Sequence, residues 1–376
     1  MELTSAILLI LLAGSVAYAL LTIPAARSYV RAAPPALARV IPISVLKPLA
    51  GVDEGLEENL RSFFTQQYGE FEILLAVRHA DDPAVAIVEK LQREFPAVQA
   101  QLVVTGHPPY PNSKVFKLEA MVKLARHDIL VMSDSDIRVS RRLLETVARE
   151  FQDPSVGVVT CPYRAVAGAS IWSQLEAIGL NTEFLGGVLT QRFLNGMDFA
   201  LGPTLAIRRQ VLEKIRGFDH LKNYLAEDFV LGKRVAASGA SVVLSCERIE
   251  HRIGSQRFWP NLVHRLRWAR STRRSRPAGY VGQVFAHSLP LALAACAVRP
   301  HWWGLAAVAL AARGASAAVV AGWVLHDSTT GRNWWMIPIQ DLLSALVWIA
   351  GFFGSTIHWR GQTYSLLPDG RFELKQ

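Results

Sequence analysis

Charge is what this chain has little of. Asp, Glu, Lys and Arg make up 19% of its 376 residues, against roughly 25% in a soluble globular domain. Apolar types reach 51% and the mean hydropathy is +0.22. Disorder, which needs low hydrophobicity and dense charge, is excluded, and a purely soluble enzyme is disfavoured. Cysteine is scarce too. Cys161, Cys246 and Cys296 stand singly, which excludes a disulfide framework and a CxxC metal pattern. Acid is short relative to base, 31 against 40, leaving a formal charge of +9. There is no internal repeat and no low-complexity tract beyond alanine-rich apolar segments. At roughly 100–200 residues per domain, the length suits one large domain plus membrane segments.

The apolar excess is concentrated at the two ends. Leu3 to Ile23 runs 21 residues without a charge, enough to cross a hydrocarbon core of roughly 30 Å. A signal peptide would carry a basic start, and Glu2 stands there instead, so an uncleaved anchor is expected. Tyr280–Val298, Trp302–Leu325 and Trp334–Ile357 are the other apolar stretches, edged by Trp302, Trp303, Trp334, Trp335 and Trp359. Arg27, Arg31 and Arg39 follow the first span and an arginine-rich stretch precedes the second. The positive-inside rule therefore puts the middle of the chain in the cytoplasm. Four crossings would leave Arg360, Arg371 and Lys375 on the opposite side, against the same rule. One segment is thus expected to be re-entrant or interfacial. Trp302–Leu325, with Arg313 near its midpoint, and Tyr280–Val298, with Gln283, His287 and Pro290, are the candidates. The expected division is an anchor over 1–25, a cytoplasmic domain over 41–277, membrane segments over 280–357 and a tail over 358–376.

Between Ile41 and Pro277 the pattern is α/β. Strands are expected at Ile43–Leu46, Glu72–Val77, Gln101–Val104 and Asp128–Met132, and helices at Leu56–Phe64, Ala84–Glu94 and Lys114–Ala125. Strands alternating with helices predict a mostly parallel sheet, and such sheets bind ligands at the carboxyl ends of their strands. Ser133-Asp134-Ser135-Asp136 follows one strand there, and Arg78-His79-Ala80-Asp81-Asp82-Pro83 follows another. Carboxylates spaced i, i+2 at a strand end can share one hard cation, Mg²⁺ or Mn²⁺, and leave positions for phosphate. The plainer alternative is that these aspartates form turns or cap helices. Glu227-Asp228 opens an expected helix, either as first-turn acids opposing its dipole or as the source of a base for an acceptor hydroxyl. His264-Arg265-Leu266-Arg267-Trp268 lies in an acid-free run ahead of a span. It suits anionic lipid or a bidentate grip on a diphosphate walled by an indole.

Asp82, Asp134-Ser135-Asp136, Glu227-Asp228 and His264-x-x-Arg267-Trp268 together resemble the D, DxD, (E)D, (Q/R)xxRW pattern of processive-type family 2 glycosyltransferases. The phrases Val45-Leu46-Lys47-Pro48-Leu49-Ala50-Gly51-Val52-Asp53, Asp81-Asp82-Pro83-Ala84, Asp134–Val139 and Ala226-Glu227-Asp228 resemble the ceramide glucosyltransferases more closely. The likeness covers roughly 41–277. It implies a GT-A fold and inverting transfer from a UDP-sugar to a membrane lipid. It further implies Asp82, with Asp81 beside it, at the uridine, and Lys114 near the diphosphate. Asp134 and Asp136 would hold the metal, with Asp134 also at the diphosphate. Asp228 would be the general base, and Arg267 with Trp268 the pyrophosphate binders. His264 stands where the pattern has Gln or Arg, and with Glu227 it is a candidate for the acceptor or a phosphate. Asp136 completes a true DxD where animal ceramide enzymes have Gly, which moves the chain toward bacterial relatives, including glycosyltransferases of hopanoid biosynthesis.

The wall of the acceptor is expected in Phe193–Met197 and Phe199–Thr204, with core packing as the alternative. A hopanoid-lipid N-acetylglucosaminyl transferase, a polysaccharide synthase and a non-catalytic membrane scaffold are the competing functions. Nucleic acid is not expected as a partner, because the basic excess sits beside a membrane span and has no stacking platform.

Overall fold

The computed structural model describes residues 2–359 and 361–375. Arg360, one of the basic residues of the expected tail, lies outside them. The chain forms two compact units that are not consecutive in sequence. One is made of 33–163, 197–254 and 367–376, the other of 1–32, 164–196 and 255–366. The expected continuous 41–277 domain is therefore interrupted. Its segments 164–196 and 255–277 group with the apolar helices: Leu175 and Ile178 pack with Met336, and Arg265, Arg270 and Arg273 bond Gln340 and the carbonyls of Phe353 and Phe352.

The first unit is built on a sheet whose strands are β1 Ile43–Pro48, β2 Phe71–Val77, β3 Gln99–Val104, β4 Ile129–Ser133, β6 Val156–Thr160, β8 Thr204–Arg208 and β9 Ser241–Leu244. Strands β5 Ile137–Arg138, β7 Tyr163–Ala167 and β10 Ile249–Gly254 lie outside it, in a separate sheet of order β5-β10-β7. The order is β3-β2-β1-β4-β8-β6-β9. β3, β2, β1 and β4 are parallel; β8 runs antiparallel to both β4 and β6, and β6 is parallel to β9. β1, β4 and β6 are buried at every position, as continuous apolar runs should be when helices cover both faces. β3, at the edge, alternates instead. Leu46, Leu74, Leu130, Val158 and Ile207 join Val115, Leu118 and Val235 in one core. The helices fall close to the expected spans, at Leu56–Phe64, Ala84–Glu94 and Ser113–Leu124. β1 and β4 are adjacent and parallel, so the loops after both strands open at one edge.

The second unit holds the apolar helices. Three are long and apolar enough to cross a membrane: Glu2–Arg31, Pro300–Val324 and Trp334–Gly351. A fourth candidate, Pro277–Ala286 with Ser288–Val298, is bent by 64° at His287. The last apolar segment is shorter than expected, ending at Gly351, and Ile357 belongs to the strand Thr356–Trp359 paired antiparallel with Gln362–Leu366. Leu12, Leu291, Ala292, Ala295, Ala306 and Ala309 form a tight small-residue core among these helices. Alanine at such positions lets backbones approach closely where lipid gives no hydrophobic drive.

Candidate active site

The acidic turn after β4 is held from below by a lysine. Lys47, near the carboxyl end of buried β1, reaches up so that its Nζ donates to the Asp134 carbonyl and to Ser133 Oγ at 3.2 Å. The ammonium also lies 4.1 Å from the centre of the Phe63 ring. Burial pulls Lys47 down to about 7, with Asp134 and Asp136 opposing and Lys114 adding to the effect. Ser133 also receives a bond from Thr204 Oγ1 at 2.9 Å, and Ser135 Oγ donates to Asp53 Oδ2 at 3.0 Å. The backbone carrying Asp134 and Asp136 is thereby fixed on three sides.

Lys114 brings two of the expected motifs together. It stands in the first turn of Ser113–Leu124, where Asn112 Oδ1 caps the helix by accepting from Lys114 N and Val115 N at 3.1 Å each. Its Nζ lies 2.8 Å from Asp134 Oδ1 and 2.8 Å from Glu227 Oε1. Asn112 Nδ2 meanwhile donates to Tyr224 O at 2.8 Å, which ties the Lys114 helix to the loop leading into Glu227-Asp228. Burial alone would lower the Lys114 ammonium, but Asp134, Glu227 and Asp228 outweigh it and the net shift is upward.

Asp228 is partly buried in the first turn of Glu227–Ala237. Burial first, then the neighbouring Glu227 charge, pushes its carboxyl up to about 7, with Asp134 adding and Lys114 opposing. That is where a general base for neutral pH should sit. Two glycines make the position possible. A Cβ on Gly202 would stand 2.7 Å from Asp228 Oδ2, and one on Gly232 would collide with the backbone of Phe199 and Ala200.

Asp136 has a different partner. Its Oδ2 lies 3.1 Å from His251 Nε2. Burial raises this carboxyl, but His251 and Lys47 prevail and the net shift is downward. Asp134 shifts upward, through burial and the Asp136 charge, against Lys114. Asp136 Oδ1 is buried and has no hydrogen-bond partner, an oxygen of the kind a hard cation takes. Among the described residues no three His, Cys, Asp or Glu side chains are grouped to hold a metal. Carboxylate oxygens such as those of Asp134 and Asp136 are the donor type that Mg²⁺ and Mn²⁺ take, and an ion held by so few protein ligands would need phosphate oxygens or water at its other positions.

Asp82 serves as a staple: it accepts from Ala84 N at 3.0 Å, starting the helix Ala84–Glu94, and from Gly51 N at 3.1 Å on each oxygen. Gly51 has φ +69, a conformation glycine adopts without strain. Asp53 follows in the same loop and bonds Ser135, so the loop after β1 connects the Asp82 and DxD clusters. Asp81 is exposed.

His264, Arg267 and Trp268 belong to the other unit, on the helix Phe258–Ser275. His264 Nδ1 lies 2.9 Å from Glu176 Oε1, whose second oxygen accepts from Asn261 Nδ2 at 2.5 Å. The Arg267 guanidinium lies 5.8 Å from the Trp359 ring centre. Trp268 meets Phe184 and His264 edge-on. Two further arginines of the same acid-free run are engaged by the protein: Arg273 donates to the carbonyls of Phe352 and Gly354, and Arg276 to Gln191 Oε1. The expected acceptor wall divides as well. Phe199, Ala200 and Leu201 are core, whereas Phe193 and Leu194 are exposed.

Sequence reasoning assigned no role to Lys47, His251, Asn112, Gly202 or Glu176. Two of them left a signal. Lys47 is a charge inside an otherwise apolar strand, and His251 alternates with Ile249 and Ile253 on the buried face of β10. Gly202 left none, because its meaning is the carboxylate it admits.

The family profile described as "Glycosyl transferase family 21" matches residues 7–372. Ceramide glucosyltransferase 1 of Caenorhabditis elegans is 28% identical over 205 residues, which are 54% of this chain and 44% of that protein. Ceramide glucosyltransferase 3 of the same organism is 24% identical over 344 residues, 88% of this chain and 73% of that one. The chain thus matches less than half the length of the first relative. Among solved structures, the mannosyltransferase PcManGT from Pyrobaculum calidifontis, in complex with GDP-Man and Mn²⁺, superposes with a TM-score of 0.57 at 18% identity, covering 93% of this chain and 99% of that one. That likeness shows the fold, a GT-A-like arrangement around a mostly parallel sheet.

Proposed function

The chain belongs to glycosyl transferase family 21, and we propose that it transfers one sugar, with inversion, from a UDP-sugar to the hydroxyl of a membrane lipid of the ceramide type. The observation that carries the reading is Asp228, a carboxyl tuned to about 7 beside an acidic turn that keeps one buried oxygen, Asp136 Oδ1, without a partner. The same protein region thus offers a base and an incomplete cation site.

The chemistry follows from these groups. Asp228, ionised, takes the proton of the acceptor hydroxyl as its oxygen attacks the anomeric carbon from the side opposite the leaving group. The bond from that carbon to the diphosphate breaks, and the configuration inverts. Lys114 gives positive charge to the diphosphate, and Lys47 keeps the turn bearing Asp134 and Asp136 in place. Asp134 and Asp136 would hold the Mg²⁺ or Mn²⁺, which when bound neutralises charge on the departing diphosphate. Asp82 and Asp81 keep the uridine role that the resemblance implies, and Arg267 and Trp268 the pyrophosphate role. A lipid acceptor accounts for the apolar helices, since a hydroxyl on a greasy tail must be met at a membrane. The cytoplasmic face is proposed for the unit carrying Asp228, on the strength of Arg27, Arg31 and Arg39.

Membranes carrying the protein should be incubated with radiolabelled UDP-sugars and extracted with organic solvent. Label in the organic phase, lost when EDTA is present and regained with Mg²⁺ or Mn²⁺, is the expected result. Label recovered only in a water-soluble oligosaccharide or an insoluble polymer refutes the lipid acceptor, and full transfer in EDTA refutes the metal.

A further inference from the structure

Four apolar segments raise a counting problem, and the second unit's internal contacts resolve it. Glu2–Arg31 gives the direction, because the chain enters the unit bearing Asp228 at Ala33, just beyond its Arg31 end. Ser288 Oγ lies 2.5 Å from Ser15 Oγ, and Arg299 Nε donates to Ser5 Oγ at 2.9 Å. The segment 288–299 therefore runs alongside the first helix from its middle toward its Glu2 end, about 15 Å at 1.5 Å per residue. The next helix returns. Arg313 and Ser316 line a cavity with Tyr18 and Thr22, and Gly186 lies between Thr22 and Val320. Residues 300–324 thus travel back toward the Arg31 end. The bent pair and Pro300–Val324 form one excursion away from that face and back.

Trp334–Gly351 then starts at the face where the excursion ended. Its far end is held by the arginine-rich helix: Arg270 donates to Phe353 O at 3.1 Å and to Thr356 O at 2.5 Å, and Arg273 grips the Phe352 carbonyl. Beyond it, 367–375 belongs to the unit that contains Asp228. Phe372 is fully buried there and its N–H donates to Asn223 O at 2.8 Å, while Arg371 bridges Tyr224. A further crossing would put this segment on the wrong side of the membrane.

The helix is also two-faced. Trp335, Ile339, Leu342, Leu346, Ile349 and Phe353 recur at intervals of three and four and are exposed. Gln340 and Asp341 on the other face are buried against Arg265 and Arg313, and Ser344 bonds Glu183 at 2.7 Å. An exposed apolar stripe opposite a polar, protein-bound face is how a helix lies in the boundary between headgroups and acyl chains.

We propose that Trp334–Gly351 lies in the plane of the membrane on the side of the Asp228 unit, its Trp335–Phe353 stripe immersed in lipid, and that the chain crosses three times, with Glu2–Arg31, the bent pair and Pro300–Val324. The proposal rests on reading those three apolar segments as spans. It is independent of the sugar, the acceptor and the metal.

Single cysteines at Asp53, His301, Thr329 and Lys375, in the full chain with its own three cysteines replaced by serine, should be probed with an impermeant maleimide on intact cells and on inverted vesicles. The expected grouping sets Asp53, Thr329 and Lys375 together and His301 alone. Lys375 grouping with His301 would mean four crossings, Thr329 grouping with His301 would mean that Pro300–Val324 does not cross, and His301 grouping with Asp53 would mean that the bent pair does not; any of these overturns the proposal. Which face Asp53 occupies tests the cytoplasmic orientation separately, so failure of that reading is told apart from failure of the grouping. Nitroxides at Ile339, Leu342, Leu346 and Ile349, in phosphatidylethanolamine/phosphatidylglycerol vesicles, should report one shallow depth. A depth that changes steadily or passes through a maximum along the helix would refute the in-plane placement.

Discussion

Two clusters of ions, one buried and one partly buried, sit in the two units, and they are finished to different degrees. In the apolar unit, Arg313 meets Asp341 in a two-pronged pair, Nε to Oδ2 at 3.1 Å and Nη2 to Oδ1 at 2.8 Å, with Thr182 Oγ1 at 3.1 Å from Nη2. Both charges are matched by the protein's own side chains. In the other unit, Lys47, Lys114 and His251 face Asp134, Asp136, Glu227 and Asp228, and acid exceeds base. Asp136 Oδ1 has no partner and Asp228 is pushed up to about 7. Burying charge is costly in both places. A cluster satisfied from within serves the fold, whereas one left short of positive charge is prepared for something that brings it.

The most severe break in this contrast is Asp228→Asn. Loss of a general base costs about 10²–10⁴ in rate, so kcat should fall by that order while UDP binding, measured by calorimetry, persists. Loss of UDP binding together with kcat would mean that Asp228 holds the donor. Arg313→Met should do the opposite. It leaves Asp341 buried and unpaired, which costs about 3–5 kcal/mol, seen as a lower Tm in detergent. Arg313→Met with Asp341→Leu should recover most of it, and kcat per folded molecule should stay near wild type in both.

Gly202→Ala probes how closely the base is held. A Cβ 2.7 Å from Asp228 Oδ2 must move the carboxylate, and a displacement approaching 1 Å can cost about 10²-fold. kcat should drop with little change in Tm, and an unchanged kcat would show that the carboxylate position is not critical. Glu227→Gln gives the smallest effect. The Glu227 charge raises Asp228, and the base acts when ionised, so activity rises with pH through the Asp228 pKa. Removing that charge should move the acid limb of kcat/KM to lower pH. A limb that stays in place would separate Asp228 from the titration.

The elements themselves were largely legible in the sequence. Ile43–Leu46 extends to Pro48, Lys114–Ala125 shifts by one residue, and Ala84–Glu94 falls where expected, because each depends on periodicity and caps within a dozen residues. The DxD stood out for the same reason, as a polar pair ending an apolar strand. Less local features stayed open until the fold was known. Phe199–Leu201 is core because Gly232 lets the helix Glu227–Ala237 come against its backbone. Arg313, which made Trp302–Leu325 a candidate for the odd segment, looks unpaired until Asp341, 28 residues away, is brought to it; the segment proposed above to lie in the membrane plane is a different one, Trp334–Gly351.

The order of motifs and the grease at both ends were sufficient to determine the family, the membrane attachment and which carboxylates to suspect. Local composition sets strand and helix, and strand order carries the loops after β1, β2 and β4 to one edge. Only the tertiary structure decided what each carboxylate faces. Lys47 lies under Asp134 and His251 beside Asp136 across separations of 87 and 115 residues, and Gly202 vacates the space that Asp228 fills. A charge's protonation depends on the field and the solvent within a few ångströms, and those neighbours come from wherever the chain folds back, so no window of sequence contains them.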